Sequence, residues 1–396
     1  MPIDFIYWIA VLMPMLMMPI VLPMVVLMAR RKRLTDNPNA RKVQDRPVPV
    51  MGGTVMMLVI SVTAIILNLF YDLGNLYPAL SVMIILYIFG MLDDNIGLTW
   101  QFKLGVQIFS ILLLFFGGNY GVHSLYGVFG IEELPTWASC ILTLFTGLLL
   151  LNAVNFVDGI DGLASGLGVL GGLVMAYWNV RHGFVTQAMF SFVMVGVLSS
   201  FFVFNVFSER YKMYMGDSGS LVLGFFIFMS SCPEMTLFSE NEFVADDYFL
   251  TFQLAIYSAM VFDLIRVAVL RVIYRKSPFH PDRTHLHHIC VDMGMSHLFT
   301  TLRIMVVNVI VIAIWYFTAS SGMNVTLQYL LILLSGVVLF WLPYFHIVYL
   351  RENKQERYEI LSARCKKMSS YSDIFTRLIR RLIDGRHKPI ITHEIE

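Results

Sequence analysis

Long apolar runs broken by short polar stretches make up most of this chain. A bilayer-spanning helix needs about 20 mostly apolar residues. Runs of roughly that kind fall near residues 5–28, 50–70, 77–92, 104–118, 137–154, 162–180, 187–207, 218–232, 249–270, 304–319 and 326–349. They predict an all-α, polytopic membrane bundle of about eleven spanning helices. The first run, Ile3 to Met28, lacks a basic leader and reads as a span. Its Pro14, Pro19 and Pro23 are tolerated in a membrane helix, where neighbours can take up freed carbonyls. Residues 1–350 form one membrane-embedded domain in this reading, and residues 351–396 a cytoplasmic tail.

Charge placement supplies the orientation. Lys and Arg in short loops stay on the cytoplasmic side. With an outside N-terminus and alternating loops, all 28 Lys and Arg residues except Arg181 fall on the inside. The outside loop 233–248 carries Glu234, Glu240, Glu242, Asp246 and Asp247 and no basic residue. The prediction is therefore N-out and C-in.

Composition agrees: 57% of the 396 residues are hydrophobic and 14% charged, against about 25% charged in soluble domains. Net charge is +1, so overall charge says nothing about partners; no nucleic-acid partner is expected. Cys140, Cys232, Cys290 and Cys365 form no CxxC pair, which argues against a disulfide framework or a cysteine zinc site.

The polar clusters converge on the inner face. "LDDN" (Asp93, Asp94) ends the third span, and "NAVNFVDGIDGLASG" (Asn155, Asp158, Asp161) joins the fifth and sixth. "YMGDSGS" (Asp217) joins the seventh and eighth, and "SPFHPDRTHLHH" lies between the ninth and tenth. The loop "NPNARKVQDRPVPVMGG" joins the first and second. A lone Asp at a wet interface is an ordinary helix cap. Five on one face, with glycines beside three of them, suggest a cation between them. Oxygen donors without cysteine favour Mg²⁺, with Mn²⁺ able to substitute. Glycine-rich helix starts suit phosphate.

The histidine loop holds His280, Arg283, His285, His287 and His288. Zinc and a structural turn are the rival readings. Arg283 and nearby Lys276 would oppose a metal, and Arg is shaped to grip phosphate in a fork, so an anion grip is favoured. Lys42 and Arg46 lie near the "VPVMGG" turn and could reach a substrate, whereas residues 30–33 read as anchoring charge. Lys103 opens the fourth span and would balance metal and phosphate charge; Gln107 follows one turn on. The whole suits phosphoryl transfer, in which a protein mainly positions and neutralises charge.

At these motifs the chain resembles the polyprenyl-phosphate N-acetylhexosamine-1-phosphate transferase family, glycosyltransferase family 4. The four motifs occur in the family's order, and the resemblance spans residues 30–350. The last motif resembles the branch that uses UDP-N-acetylglucosamine or a close relative, not the peptidoglycan-precursor branch. The resemblance implies attack by undecaprenyl phosphate on the β-phosphorus of a UDP-sugar, giving undecaprenyl-diphosphate-sugar and UMP. It implies Asp217 and Asn155 at the metal, with Asp158 facing it. Lys103 would contact the diphosphate, and Asn205 would lie near the uracil. Asp93 and Asp94 would handle the lipid phosphate, and Asp158, Asp161 and Lys103 would complete the catalytic set. Arg283, His285, His287, His288 and Lys42 would hold the sugar-nucleotide. A phosphate monoester has a second pKa of about 6, so proton removal by Asp94 would accelerate little. Orientation of the acceptor or a covalent aspartyl intermediate are the remaining roles for Asp93 and Asp94. Membrane lipids are the other expected partners, and a homodimer is compatible with the sequence.

Three rivals fit less well. Transporters place polar groups near the midplane, and Asp263 with Arg266 reads as a plain structural pair near an inner helix end. CDP-alcohol phosphotransferases need an Arg that "DGIDGLASG" lacks. A non-enzymatic anchor explains none of the clusters. In the tail, "SDIFTRLIRRLIDG" predicts an amphipathic helix on the anionic inner leaflet, with Ser372 capping its start and Gly385 its end.

Overall fold

The computed structural model describes residues 3–32, 35–36, 47–232, 248–275 and 284–385. Every predicted apolar segment is helical: α1 (Ile3–Arg31), α2 (Gly52–Asn68), α3 (Tyr77–Ile96), α4 (Trp100–Gly118), α5 (Thr136–Val157), α6 (Leu163–Arg181), α7 (Val185–Phe207) and α8 (Gly216–Ser231). They continue with α9 (Phe249–Ile256), α10 (Ser258–Ile273), the short α11 (Leu286–Asp292), α12 (His297–Ser320), α13 (Val325–Gly336) and α14 (Leu342–Asn353). A π turn, Val337–Trp341, makes α13 and α14 one rod. Among the described residues, eight helices are long and apolar enough to cross a membrane, and the chain is a polytopic membrane bundle. Among the described residues, β pairing amounts to a two-residue antiparallel ladder of Thr35–Asp36 with Val48–Pro49 and two isolated bridges, Val50 with Tyr214 and Ser124 with Glu133.

The predicted span 249–270 differs from expectation. It breaks at Tyr257 into α9 and α10. Asn308 of α12 staples the break: its Nδ2 donates to the Ile256 carbonyl (2.8 Å), and its Oδ1 accepts from Ala259 N (2.8 Å) and Ser258 Oγ (2.9 Å). Inside an apolar bundle an unmade backbone bond is costly, so one buried Asn allows a break that hydropathy does not register.

Helix α8 is the axis of the site-bearing half and packs against α3, α5 and α2. Its N-terminus is gripped by glycines. A Cβ on Gly53 would collide with the Ser218–Gly219 backbone, and one on Gly90 with Ser218. Such close backbone approach is open only to residues without a side chain. The strand Val48–Pro49, between α1 and α2, adds to the grip. Tyr214 N donates to the Pro49 carbonyl (2.9 Å), while Gly52 N and Gly53 N donate to the carbonyls of Tyr214 and Met215 (3.0 Å each).

The tail helix, α15 (Gln355–Asp384), is longer than predicted. Ser372 lies in its interior and caps nothing, because its hydroxyl pairs with Ser296 Oγ (2.7 Å) across the α15–α12 contact. The helix ends at Gly385, at positive φ, as predicted.

Candidate active site

Asp94 anchors α8 from another helix. Its Oδ1 accepts from Asp217 N (2.7 Å), and its Oδ2 from Ser218 N (3.1 Å) and Ser218 Oγ (2.7 Å). A carboxylate at a helix start satisfies free N–H groups and meets the positive end of the helix dipole. Both Asp94 oxygens are thereby engaged, so it positions Asp217. Gly216 is at φ 74, and a Cβ there would press on the Asp94 carboxylate.

Asp217, set by that anchor, is the centre of the cluster. Its Oδ1 accepts from Asn155 Nδ2 (2.6 Å), and Asn155 also donates to Ser220 Oγ (3.0 Å). Its Oδ2 meets Lys103 Nζ at 3.2 Å, and the same ammonium pairs with Asp93. Asp93 in turn accepts from Leu98 N at 2.7 Å, which closes the turn between α3 and α4. Asn152 donates to Gln107 Oε1 (3.0 Å) and ties α5 to α4. Four residues far apart in sequence, Asp93, Lys103, Asn155 and Asp217, thus meet at one end of the bundle.

The loop 158–162 forms the next wall. Among the described residues, no hydrogen bond or ion pair reaches the Asp158 carboxylate. Burial pushes it well above its ordinary value, and the charges of Asp217, Asp161 and Asp94 push the same way. Asp161 is the opposite case. Its Oδ2 pairs with Lys212 Nζ (2.6 Å) and His297 Nδ1 (2.8 Å). Burial opposes its ionisation, but the His297 hydrogen bond and the Lys212 charge overcome that and hold the carboxyl below its ordinary value. Asn205 is committed at both ends: Oδ1 accepts from Gly162 N (2.7 Å) and Nδ2 donates to the Met213 carbonyl (3.0 Å). It locks two inner loops together. Lys212 and His297 were missed in the sequence. Lys212 sits inside a motif already singled out, five residues before Asp217, and its charge was the available signal.

The histidine motif hangs from Asp263 of α10. Asp263 Oδ2 pairs with His285 Nδ1 (2.8 Å), and Oδ1 accepts from Leu286 N (3.0 Å) and Arg266 Nη2 (2.7 Å). Arg266 also donates to the Thr284 carbonyl (2.8 Å), and its guanidinium lies 3.5 Å from the centre of the Tyr344 ring. The expected Asp263–Arg266 pair is present, and it also fixes the motif's backbone. His285 stacks near Phe156 of α5. His287 is buried, and a Cβ on Gly159 would collide with its Nε2, so the glycine admits the imidazole to the Asp158 loop. Burial, then the neighbouring His288, hold His287 well below its ordinary value, in the neutral form. Lys42 and Arg283 lie outside the described residues.

Among the described residues, no three His, Cys, Asp or Glu side chains converge as a closed metal site. The donors that do converge, Asp217, Asn155 and Asp158, offer oxygen ligands, and among the described residues none bonds to the Asp158 carboxylate. Of the five carboxylates in the cluster, three pair with an ammonium: Asp93 and Asp217 with Lys103, and Asp161 with Lys212. That set fits a hard divalent cation with few protein ligands and substrate oxygens completing its shell.

Residues 76–232, which carry most of this cluster, match the family model for Glycosyl transferase family 4. The decaprenyl-phosphate N-acetylglucosaminephosphotransferase of Mycobacterium tuberculosis (strain ATCC 25618 / H37Rv) is 31% identical over 294 residues, covering 68% of this chain and 72% of that protein. A probable undecaprenyl-phosphate N-acetylglucosaminyl 1-phosphate transferase of Bacillus subtilis (strain 168) is 27% identical over 94% of this chain and 97% of its own. The undecaprenyl-phosphate alpha-N-acetylglucosaminyl 1-phosphate transferase of Escherichia coli (strain K12) is 28% identical, over 68% and 72% respectively. With its acidic motifs brought together at one end of a membrane bundle and a relative above 30% identity along most of both chains, this protein belongs to glycosyl transferase family 4, the polyprenyl-phosphate sugar-1-phosphate transferases.

Proposed function

We propose that the protein transfers N-acetylglucosamine 1-phosphate from UDP-N-acetylglucosamine to undecaprenyl phosphate, on the cytoplasmic face of a bacterial inner membrane. The product lipid would enter the assembly of a surface polysaccharide or wall polymer. The observation that carries the reading is the cluster of Asp217, Asn155, Lys103 and Asp158, the last with no bond to its carboxylate among the described residues, at the bundle end that also holds Lys212. The names of the three relatives support the sugar and the lipid carrier. Among the described residues, eleven apolar helical segments, counting α9 with α10 and α13 with α14 and leaving out the short α11 and the tail helix α15, fit the N-out, C-in orientation set by the basic residues.

In the reaction a phosphate oxygen of the lipid forms a bond to the β-phosphorus. The bond from that phosphorus to the bridging oxygen breaks, and UMP leaves with the electron pair. Bound Mg²⁺, with Asp217, Asn155 and Asp158 as the residues that would hold it, supplies neutralisation of diphosphate charge. Lys103, tied to Asp93 and Asp217, presents an ammonium to the diphosphate and keeps the two carboxylates from repelling one another. Asp94 takes no proton in this scheme; it aims Asp217. Asp161, clamped by Lys212 and His297, fixes the loop that carries Asp158. His287, neutral and seated against Gly159, lines the same loop, and Arg283 and Lys42 would reach the sugar-nucleotide.

Purified protein given UDP-N-acetylglucosamine, undecaprenyl phosphate and Mg²⁺ should release UMP and form a lipid of the diphosphate-sugar mass, read by mass spectrometry. In reverse, labelled UMP should exchange into UDP-sugar. Neither reaction occurring with a panel of UDP-N-acetylhexosamines would overturn the transferase reading, and product from another sugar alone would correct the substrate.

A further inference from the structure

Helix α15 carries two apolar stripes, and the bundle uses one. The used stripe includes Cys365, Ile379 and Ile383, the last two packed on Val206, Phe207 and Leu298. Polar bonds reinforce it: Ser369 Oγ accepts from Ser296 N (2.7 Å), and Ser362 Oγ donates to the Met293 carbonyl (2.8 Å). At its end Asp384 accepts from Ser208 Oγ (2.5 Å), Glu209 N (2.8 Å) and Arg210 N (3.3 Å), while Arg380 pairs with Glu209. The helix is therefore fixed along its length to the inner ends of α7 and α12.

The second stripe is Met368, Tyr371, Phe375, Leu378 and Leu382. The steps of three and four residues put them on one line. All are at least half exposed, Leu382 to 80%. At about 100° per residue, this line is rotated roughly a third of a turn from the docked stripe. On the far side, at a similar angle from it, lie Lys366, Asp373, Arg377 and Arg381. Three directions result: protein to one side, an apolar line, and a charged face. A helix lying along the rim of a membrane bundle, at the water boundary, requires that arrangement.

Two further observations set the level and the charge. Phe375 meets Phe207, the last residue of α7, edge to face with centroids 5.9 Å apart. The middle of the apolar line thus lies beside the end of a spanning helix. Between Ala363 and Leu382 the helix has Arg364, Lys366, Lys367, Arg377, Arg380 and Arg381 against one acid, Asp373. Basic residues beside an inserted apolar line attract anionic headgroups.

We propose that α15 is an interfacial helix that seats Met368, Tyr371, Phe375, Leu378 and Leu382 in the anionic inner leaflet. Because Asp384 holds residues 208–210, this seat braces the loop that presents Lys212 and leads into Asp217. The inference stands on the docking geometry and does not depend on which sugar or lipid the enzyme uses.

The test is made on the full-length protein with its four native cysteines replaced, in nanodiscs containing lipids with a quencher on the acyl chain. A fluorophore is attached at Leu378→Cys, at Leu382→Cys or at Arg377→Cys. Variants eluting as the parent are compared in phosphatidylcholine and in phosphatidylcholine with phosphatidylglycerol. The expected result is quenching at 378 and 382 several-fold stronger than at 377, increased by phosphatidylglycerol. Lys367→Glu with Arg381→Glu, made in the Leu378→Cys background, should remove that increase. Equal weak quenching at all three positions would overturn the proposal. So would protection of 378 and 382 only in discs holding two copies, which would make the stripe a contact between copies of this chain.

Discussion

Two charged clusters sit at the same end of the molecule and are built on opposite principles. Around Asp263, a carboxylate, a guanidinium and an imidazole are almost wholly buried, with side-chain exposures of 6%, 1% and 3%. Each Asp263 oxygen is bonded, and the charge of Arg266 is balanced. Around Asp217, Lys103 and Asp217 are 40% and 34% exposed, and carboxylates outnumber the ammoniums. Buried ion pairs survive only when fully partnered. Excess charge of one sign is tolerated at a wet edge, where a ligand of the other sign can answer it. The first cluster holds a motif in place, and the second is left incomplete for its substrates.

The contrast can be broken by removing one charge from each. Asp263→Asn should leave Arg266 buried without its counter-charge and lower stability by about 3–5 kcal/mol, the range for breaking a buried pair. Thermal unfolding of the purified variant checks it, and a midpoint like that of the parent would mean Asp263 is not a scaffold. Asp217→Asn should leave the unfolding midpoint and elution unchanged. It should still lower UMP exchange at least about 100-fold, roughly 2.7 kcal/mol of barrier. Near-normal Mg²⁺-dependent exchange would take Asp217 out of the working cluster.

The smallest effect has the opposite sign. Asp158→Asn removes an unpaired carboxylate crowded by three others, so with chelator present it should stabilise the protein by about 1 kcal/mol while abolishing exchange. The sign depends on pH. The folded-state pKa of Asp158 is raised, so protonated Asp158 favours the fold below the unfolded value of about 3.9. That contribution is lost as pH climbs through the raised value. The variant and the parent should therefore unfold alike in acid and separate as pH increases. A gap that does not change with pH would show that Asp158 is not held protonated by its surroundings.

Much of this was legible in the sequence. Hydropathy located the eleven apolar helical segments, because a bilayer forces backbone bonds to close within helices. The acidic motifs were visible because carboxylates at the ends of apolar runs are costly and stand out. The break at Tyr257 was not legible, since its cause is one Asn fifty residues away. Nor was the true start of α15, whose first half is held by serines on its protein-facing side.

Residue types and their order along the chain thus determined the helices, the family resemblance and the set of candidate groups. Tertiary structure decided which did what. Asp93 and Asp94 are neighbours in sequence, yet adjacent helical positions point about 100° apart, so one pairs with Lys103 and the other caps α8. Asp158 and Asp161 share a loop, yet only Asp161 meets Lys212 and His297. A pattern in one dimension records that charge is present, whereas its neutralisation depends on what another helix brings within about 3 Å.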